Sequence, residues 1–162
     1  MVRLSNKKKS TAGLYHKIAN CVIKCIDIGL YPLGSMRRNT LKSVISERII
    51  PHICVNAGHG KELKFWCFGG WSSYRGRSVL EKEPITIKWI NAIEPNSVFW
   101  DIGANVGTYS IYAAAARGLK TYAFEPSLAN MAVFAKNIEL NKVDGLVTAL
   151  PIALSTVSGL DY

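Results

Sequence analysis

The 162-residue sequence lacks both a regular set of metal ligands and a long uncharged apolar run. Its four cysteines form no CxxC pair and are irregularly spaced from the histidines, so we predict no metal site. A zinc site built from cysteines and His16, His52 or His59 is the alternative that this spacing leaves open. Reduced thiols are typical of a cytoplasmic protein, and this is the location that we predict.

No stretch of the chain predicts an ordinary transmembrane helix. Lys17, Lys24 and Asp27 interrupt the apolar region 11–33, and a charge at the centre of a bilayer costs about 2.5–3.5 kcal/mol on insertion scales. Apolar residues nevertheless recur there at three- and four-residue intervals, which predicts a helix over residues 11–30. That helix either packs on a domain behind it or lies peripherally on a membrane, held by its basic flanks.

Acidic residues are scarce in the first part of the chain. Residues 1–96 hold 16 of the 20 lysines and arginines but 6 of the 11 acidic residues, whereas residues 97–162 hold 4 and 5. The formal net charge of +9 therefore originates in the first 96 residues. This asymmetry predicts an acidic partner, such as an anionic membrane surface, a nucleic acid or a phosphorylated or sulfated substrate. A generally solvated basic surface is the alternative.

Short elements are predicted between the N-terminus and residue 96. Residues 1–10 are polar and basic, which predicts disorder. The polar stretch 72–77 predicts a loop, in which Tyr74, Arg75 and Arg77 would suit an anionic substrate group. The other predicted elements are a helix over residues 41–50, strands at 53–55 and 63–68 around a glycine-rich turn, and a helix that begins at Glu83-Pro84.

Residues 97–110 indicate a strand, a glycine turn and the start of a helix. Val98-Phe99-Trp100 is a short apolar run of the kind that a parallel sheet buries on both faces. Asp101 follows at the carboxyl end of this strand, where open α/β sheets bind their ligands. Gly103 and Gly107 allow a sharp turn and the close approach of a ligand.

The rest of the chain repeats this order of strand and helix. The pattern predicts an α/β fold, a Rossmann-like parallel sheet with flanking helices, preceded by a mixed α/β N-terminal region. We place the boundary so that residues 1–96 form the basic region and residues 97–162 the first half of a Rossmann-like domain. Glu125 ends the second strand, where an acid commonly accepts hydrogen bonds from a ribose. The predicted elements are a helix over 106–117, a strand over 121–124, a helix over 128–140 with Ser127 as its N-cap, and a strand over 146–154.

The glycine spacing disfavours a dinucleotide. A G-x-G-x-x-G site that starts at Gly103 would need glycine where the chain has Asn105 and Thr108. The second glycine of that motif lets the backbone meet a pyrophosphate, and the third permits close packing of helix and strand. No GKS or GKT phosphate loop is present either. The sequence therefore predicts a cofactor with an adenosine but no phosphates.

Several motifs, in order, resemble class I S-adenosylmethionine-dependent methyltransferases in the form found in the FkbM family. The resemblance covers about residues 77–159 and is absent from roughly the first seventy. The stretches that carry it are Phe99–Ser110, Tyr122–Ser127, Asn137–Asn141 and Ile152–Ser155, with a similar lead-in over Arg77–Ile90.

The resemblance implies S-adenosyl-L-methionine as the cofactor and a role for each matching residue. Asp101, Gly103, Ala104, Asn105, Val106 and Gly107 would surround its methionine end. Glu125 would accept hydrogen bonds from the ribose hydroxyls, with Pro126 and Ser127 beside the adenosine. Capping by Asp101 and simple solvation of Glu125 are the alternatives.

The resemblance further implies methyl transfer to a hydroxyl group of a small molecule or sugar. No residue is identified as the catalytic base, and neither the acceptor nor the oligomeric state is indicated. Class I methyltransferases have a seven-stranded sheet, so we expect this chain to be a truncated, cofactor-binding part, possessing three of those strands. The alternative is a non-catalytic basic module that binds membrane or nucleic acid through residues 1–48; the methyltransferase interpretation itself predicts no nucleic-acid partner.

Overall fold

The computed structural model describes residues 3–58, 60–68, 70–157 and 159, and at residues 3–12 and 70–73 the backbone alone. Helices and strands alternate along most of this length. In chain order they are α1 (Arg3–Gly29), a 3₁₀ turn (Tyr31–Leu33), α2 (Gly34–Arg48), β1 (His52–Gly58), β2 (Lys61–Trp66), α3 (Gly70–Arg77), α4 (Pro84–Ala92), β3 (Val98–Ile102), α5 (Thr108–Arg117), β4 (Lys120–Phe124), α6 (Leu128–Asn141) and β5 (Val147–Leu150).

The chain divides into two compact units, Met1–Ile49 and Ile50–Tyr162. Both sheets lie in the second unit. The boundary predicted between residues 96 and 97 also falls inside this unit, and as a division of the chain into domains it stays a prediction.

The first unit consists of α1, the 3₁₀ turn and α2. The helix predicted over residues 11–30 is confirmed, but it begins at Arg3, so the predicted disorder is wrong for residues 3–10. Extending a helix gains one hydrogen bond for each residue that is ordered, so a polar segment can continue one that has already formed. Lys42 of α2 forms a hydrogen-bonded ion pair with Asp27 of α1. The hydrogen bond from Lys42 is the main reason that the pKa of Asp27 is lowered.

Side chains of the first unit are largely exposed. Between residues 13 and 49 no described side chain is buried. Ile18 and Val22 are each 51% exposed, and Leu14 on the same side of α1 is 55% exposed. Within the described residues no helix is long and apolar enough to span a bilayer.

The second unit opens with an antiparallel hairpin, β1 with β2, which confirms the predicted strand pair. Ile53 lies opposite Phe65 and Val55 opposite Leu63, and the register shifts at a bulge between Asn56 and Gly58. Leu63 and Phe65 are fully buried while Lys61 and Glu62 are exposed. The hairpin therefore contributes one face of β2 to the core.

The predicted Rossmann-like parallel sheet is confirmed by β3, β4 and β5. The strand order is β3-β4-β5, and each neighbouring pair is parallel. Helix α5 connects the first pair and α6 the second, with the Ser127 side chain capping α6 as expected. The last strand is shorter than predicted because it ends before Pro151, which has no N–H to donate to a neighbouring strand.

Only one face of β3 is buried in the described chain. Phe99 and Asp101 are buried, whereas Val98, Trp100 and Ile102 are 48–64% exposed. The predicted strand is confirmed, but only one of its two apolar faces is covered by the described residues. Because alternate side chains of a strand point to opposite faces, an uninterrupted apolar run cannot by itself reveal which face is covered.

The core of the second unit joins the hairpin to the parallel sheet. Its largest fully buried apolar side chains come from β2, the connection between α3 and α4, α4, α5, the residue before β4, and α6. Burying one side chain of this size stabilises the fold by about 1.5–3 kcal/mol. The fully buried set includes Leu63, Phe65, Val79, Ile90, Ile111, Leu119 and Phe134.

Residues 70–77 are helical, so the loop predicted at 72–77 is wrong. Gly76 of this helix, α3, lies against Phe65 so closely that a Cβ would stand 2.5 Å from the Cβ of Phe65. Contact with β2 can stabilise a helix whose residues have weak intrinsic helix propensity. The predicted helix at Glu83-Pro84 is confirmed, with Pro84 in the first turn.

Candidate cofactor site

The loop between β3 and α5 has a left-handed backbone at three alternate residues. Gly103, Asn105 and Gly107 have φ of +78°, +54° and +77°. Glycine adopts this conformation without steric cost, and asparagine tolerates it better than most other residues. Gly107 is itself the N-cap of α5, so the helix begins at Thr108 rather than at the predicted Val106.

The loop folds over the end of β4 through its backbone. The N–H groups of Gly103 and Ala104 donate to the carbonyl of Phe124 at 2.9 and 3.0 Å. The next N–H, of Asn105, donates to Oε2 of Glu125 at 2.8 Å. Three successive amides of the loop are therefore used inside the protein.

Asp101 occupies the end of β3 in a nearly solvent-free position. It is 9% exposed, and its Oδ2 accepts a 2.5 Å hydrogen bond from the hydroxyl of Ser110 on α5. Burial raises the pKa of this carboxyl, and the hydrogen bonds from Ser110 oppose the rise without cancelling it. A cationic group placed beside Asp101 would favour its ionised form.

Glu125 follows β4 and accepts hydrogen bonds on both carboxylate oxygens. Oε2 receives the Asn105 amide, and Oε1 receives the Ser127 amide at 2.9 Å and Asn130 Nδ2 at 3.1 Å. Burial acts to raise the pKa of Glu125, but these hydrogen bonds and the charge of Arg75 together lower it. Glu125 is therefore ionised at neutral pH and holds the loop to the start of α6.

Gly107 and Phe134 fix the loop against α6. A Cβ on residue 107 would overlap the Phe134 ring, which is fully buried. Glycine is thus required at this position by the close approach of the ring as well as by the positive φ. The contact adjoins the predicted cofactor loop and has no polar component.

A cavity of about 310 Å³ opens at the carboxyl end of β3. Its wall contains two cations, Arg75 and Lys82, and two carboxyl groups, Glu83 and Asp101. Mixed charges of this kind suit a ligand that carries both an anionic and a cationic group. The lining residues are Arg75, Ser78, Val79, Lys82, Glu83, Thr86, Asp101, Ile102, Gly103, Ala104, Asn105, Thr108 and Tyr109.

A second cavity, of about 470 Å³, shares Arg75 and Asn105 with the first. Most of its other lining side chains are apolar, which suits a flat, weakly polar group such as a base. It is lined by Phe68, Arg75, Asn105, Val106, Ala129, Asn130 and Val133. Arg75 and Asn105 therefore stand on the walls of both cavities.

The predicted site residues are distributed unevenly over these cavities. Four line the first cavity and Val106 lines the second, with Asn105 common to both. The others line neither, although Glu125 and Ser127 are bonded to each other and Glu125 to the loop. The four are Asp101, Gly103, Ala104 and Asn105, and those outside both cavities are Gly107, Glu125, Pro126 and Ser127.

Sequence reasoning missed the wall of the first cavity opposite the loop. Ser78, Lys82 and Glu83 lie between α3 and α4, within the stretch 77–90 that carries part of the resemblance, but none of the three was predicted as a site residue. Arg75 was predicted to suit an anion and does line both cavities, but it does so from a helix rather than a loop. The boundary predicted at residue 96 therefore separates residues that line one cavity.

Tyr109 lines the first cavity near Glu83 and Asp101. Burial and the neighbouring carboxyl groups, Glu83 above all, raise the pKa of this phenol to about 12. Tyr109 is therefore a hydrogen-bond donor at neutral pH and is not a base there.

Metal ligands do not converge in the part of the chain that the structure describes. No group of three His, Cys, Asp or Glu side chains comes together among those residues. Cys21, Cys25 and Cys54 are exposed and Cys67 is half-buried. His59, named above as a potential zinc ligand, lies outside the described residues.

Comparison with known proteins gives no family for the chain. No protein-family model matches it, and no curated protein does. Among solved structures, it is similar to Pyrococcus horikoshii TYW2 in complex with MeSAdo, at 20% identity and a TM-score of 0.47, over 63% of this chain and 36% of that one.

Two further solved structures are similar to the same degree. M. jannaschii TYW2 in complex with AdoMet matches over 65% of this chain and 44% of that one, at 21% identity and a TM-score of 0.44. A Pyrococcus abyssi tRNA (uracil-54, C5)-methyltransferase in complex with S-adenosyl-L-homocysteine matches 61% and 24%, at 20% identity and a TM-score of 0.41. The matches span less than half of each of these proteins, and each TM-score is below 0.5, so the function has to be inferred from this chain's own site.

Proposed function

We propose that the chain binds S-adenosyl-L-methionine and forms the cofactor-binding part of a class I methyltransferase of the FkbM kind. The observation that carries this proposal is the use of the loop amides. Gly103, Ala104 and Asn105 direct their N–H groups to Phe124 and Glu125. A dinucleotide or a phosphate-loop nucleotide would need such N–H groups for its phosphates.

Two carboxyl groups near the loop further disfavour a phosphate. Asp101 and Glu125 stand at the ends of neighbouring parallel strands. They would repel a phosphate but suit the hydroxyl and ammonium groups of S-adenosylmethionine. A carboxylate has about four acceptor positions, and protein donors take three on Glu125. One position therefore remains for a ribose hydroxyl at the edge of the site.

The charges of the first cavity fit the amino-acid end of this cofactor. Arg75 and Lys82 can bind its carboxylate, while Glu83 and Asp101 can bind its ammonium group. The second, more apolar cavity, which Asn105 also lines, can hold the adenine. The amino-acid end and the adenine would thus occupy two cavities whose walls share Arg75 and Asn105.

When bound, the cofactor's sulfonium group supplies an activated methyl group. The residues of this chain hold it in a fixed orientation, and orientation alone can lower a barrier by about 7–11 kcal/mol. We propose a hydroxyl of a small molecule or sugar as the acceptor. No side chain of the site is assigned as its base, since the Tyr109 phenol stays protonated at neutral pH. A protein of this kind would act in the cytoplasm.

A ligand panel in a thermal-shift assay tests this proposal. S-adenosylmethionine and S-adenosylhomocysteine should each raise the Tm of the folded chain. A ligand present at about 100 times its Kd stabilises the folded state by about 2.7 kcal/mol. NAD⁺ and ATP serve as the phosphate-bearing controls. The proposal would be overturned if NAD⁺ or ATP alone raised the Tm, or if none of the four compounds raised it.

The first unit supports a second candidate function, binding to an anionic membrane surface. Leu14, Ile18 and Val22 form an exposed apolar row on α1, and Lys17, Asn20 and Lys24 occupy its other side. Arg37 and Arg38 add positive charge at the start of α2. A basic helix with an exposed apolar face is typical of peripheral membrane attachment.

Co-sedimentation with vesicles tests this second function. The full chain should bind vesicles that contain phosphatidylserine, and more weakly as salt is added, because salt screens surface charge. Ile18→Asp should abolish binding, whereas Asn20→Asp, on the polar side of the same helix, should reduce it only slightly. A role for the apolar row would be contradicted if both variants bound equally, or if both sedimented with neutral phosphatidylcholine vesicles.

A further inference from the structure

Two asparagines on α6 bind the free edge of the hairpin strand β2. Asn141 accepts from the Lys64 amide at 2.9 Å and donates to the Lys64 carbonyl at 2.7 Å. One helical turn earlier, Asn137 accepts from the Trp66 amide at 2.8 Å. Residues four apart lie on one side of a helix. The two side-chain amides can therefore bond to backbone groups of β2 that a neighbouring strand would otherwise bind.

Asn137 makes one more bond, and this bond reaches the cofactor loop. Its Nδ2 donates to the carbonyl of Val106 at 2.8 Å. Asn137 is 1% exposed, so water cannot easily replace this donor if it is lost. The remaining bond of Asn141 goes to the carbonyl of Asn137 on its own helix. Of the two asparagines, Asn137 alone contacts the loop, whereas Asn141 donates to the Lys64 and Asn137 carbonyls.

The bond to Val106 lies at a sensitive place in the loop. Val106 is flanked by Asn105 and Gly107, and both neighbours have a left-handed backbone. A non-glycine residue such as Asn105 adopts this conformation at an energetic cost. The Val106 carbonyl belongs to the peptide unit that this residue shares with Gly107. The bond from Asn137 therefore restricts rotation of that unit, next to Asn105, whose own amide donates to Glu125.

We propose that Asn137 is a positioning residue that sets the conformation of the loop from Gly103 to Gly107 and links it to hairpin strand β2. The effect of Asn137 on the loop is independent of any ligand. Its consequence for cofactor affinity rests on the function proposed above. In this arrangement the hairpin supports the cofactor site through one side-chain amide.

Hydrogen exchange on the free, full-length protein tests this role with matched variants. Asn137→Asp keeps an acceptor for the Trp66 amide but removes the donor to Val106. Asn141→Asp likewise keeps an acceptor for the Lys64 amide and removes the donor to the Lys64 and Asn137 carbonyls, neither of which belongs to the loop. We expect the Asn105 and Gly107 amides to exchange about five- to tenfold faster in N137D, and within about twofold of wild type in N141D, since one hydrogen bond is lost at the loop.

Cofactor affinity gives a second readout. The Kd for S-adenosylhomocysteine should rise about five- to tenfold in N137D and stay within about twofold in N141D. Equal exchange at the loop in the two variants would overturn the positioning role, whether or not the ligand binds. Absence of binding to wild type would count against the proposed function alone. If N137D does not fold, Asn137→Ser and Asn141→Ser give the same comparison with the same criteria.

Discussion

The backbone N–H of Asn105 donates a 2.8 Å hydrogen bond to Oε2 of Glu125. This bond joins the loop after β3 to the residue after β4. Glu125 thus stabilises the loop in addition to its proposed contact with a ribose. Substitutions at the site therefore require separate measurements of stability and of ligand binding.

Replacing Glu125 with glutamine should destabilise the fold by about 1.5–3 kcal/mol at pH 7, since hydrogen bonds to a charged group are lost. The lowered pKa of Glu125 sets the pH dependence. Its stabilising effect is fully present above the ordinary value of 4.5 and disappears as the pH falls through the lowered value. Urea unfolding at pH 7 and pH 3 measures both effects. A wild-type advantage that is equal at the two pH values would contradict this account.

Asp101 should show the opposite pH dependence. Because burial raises its pKa, the native state holds this proton more tightly than the unfolded chain does. Wild-type stability is then lost as the pH rises from 3.8 through the raised value. We expect Asp101→Asn to be at least as stable as wild type at pH 7 and similar to it at pH 3, as denaturant titrations can measure.

Ligand affinity of the same variant should change in the other direction. D101N should bind S-adenosylhomocysteine about 10- to 100-fold more weakly, since it loses a charged hydrogen-bond acceptor worth about 1.5–3 kcal/mol. Ser110→Ala is a useful control, because it removes the neighbouring hydroxyl while leaving the carboxyl group. Unchanged affinity in D101N would place the ligand away from the end of β3.

The parallel sheet was predictable because its signals are local. The apolar runs end at Asp101 and at Glu125, and glycine and serine mark the helix ends at Gly118 and Ser127. Helix α3 was not predictable in this way, since its Gly76 packs on Phe65 of β2, and a contact across the fold has no local signal in the sequence. The same limit applies to β3, where the sequence cannot reveal which face is covered.

The site was predictable on one side only. The loop with Gly103 and Gly107 has a recognisable spacing, whereas Lys82 and Glu83 reach the cavity through the packing of α3 and α4. The role of Asn137 depends on contacts with residues 31 and 71 positions away in the chain. Long-range contacts of this kind leave no periodic signal in a single sequence.

Gly107→Ala should be more damaging than Gly103→Ala. Both residues have a positive φ, so each alanine costs about 1–2 kcal/mol in backbone energy. At residue 107 the methyl group also overlaps Phe134, whereas at residue 103 it meets open space. Overpacking adds about 1–3 kcal/mol. Unfolding free energies of the two variants test this, and equal losses would show that the Phe134 contact is unimportant.

Arg75→Ala should weaken ligand binding with little effect on stability. Arg75 lines both cavities, whereas Arg77 on the same helix is exposed and lines neither. Loss of a charged hydrogen bond to a carboxylate predicts a Kd for S-adenosylhomocysteine about tenfold higher or more. Arg77→Ala is the matched control and should bind within about twofold of wild type. The two arginines would have interchangeable roles if both variants lost affinity equally.

Isothermal titration of S-adenosylhomocysteine into the full-length, folded chain at pH 7 tests the central claim most directly. The account predicts saturable binding at one site per chain, weakened at least tenfold by D101N and unaffected by R77A. A folded protein that produces no binding heat up to millimolar ligand, at more than one temperature, would contradict it.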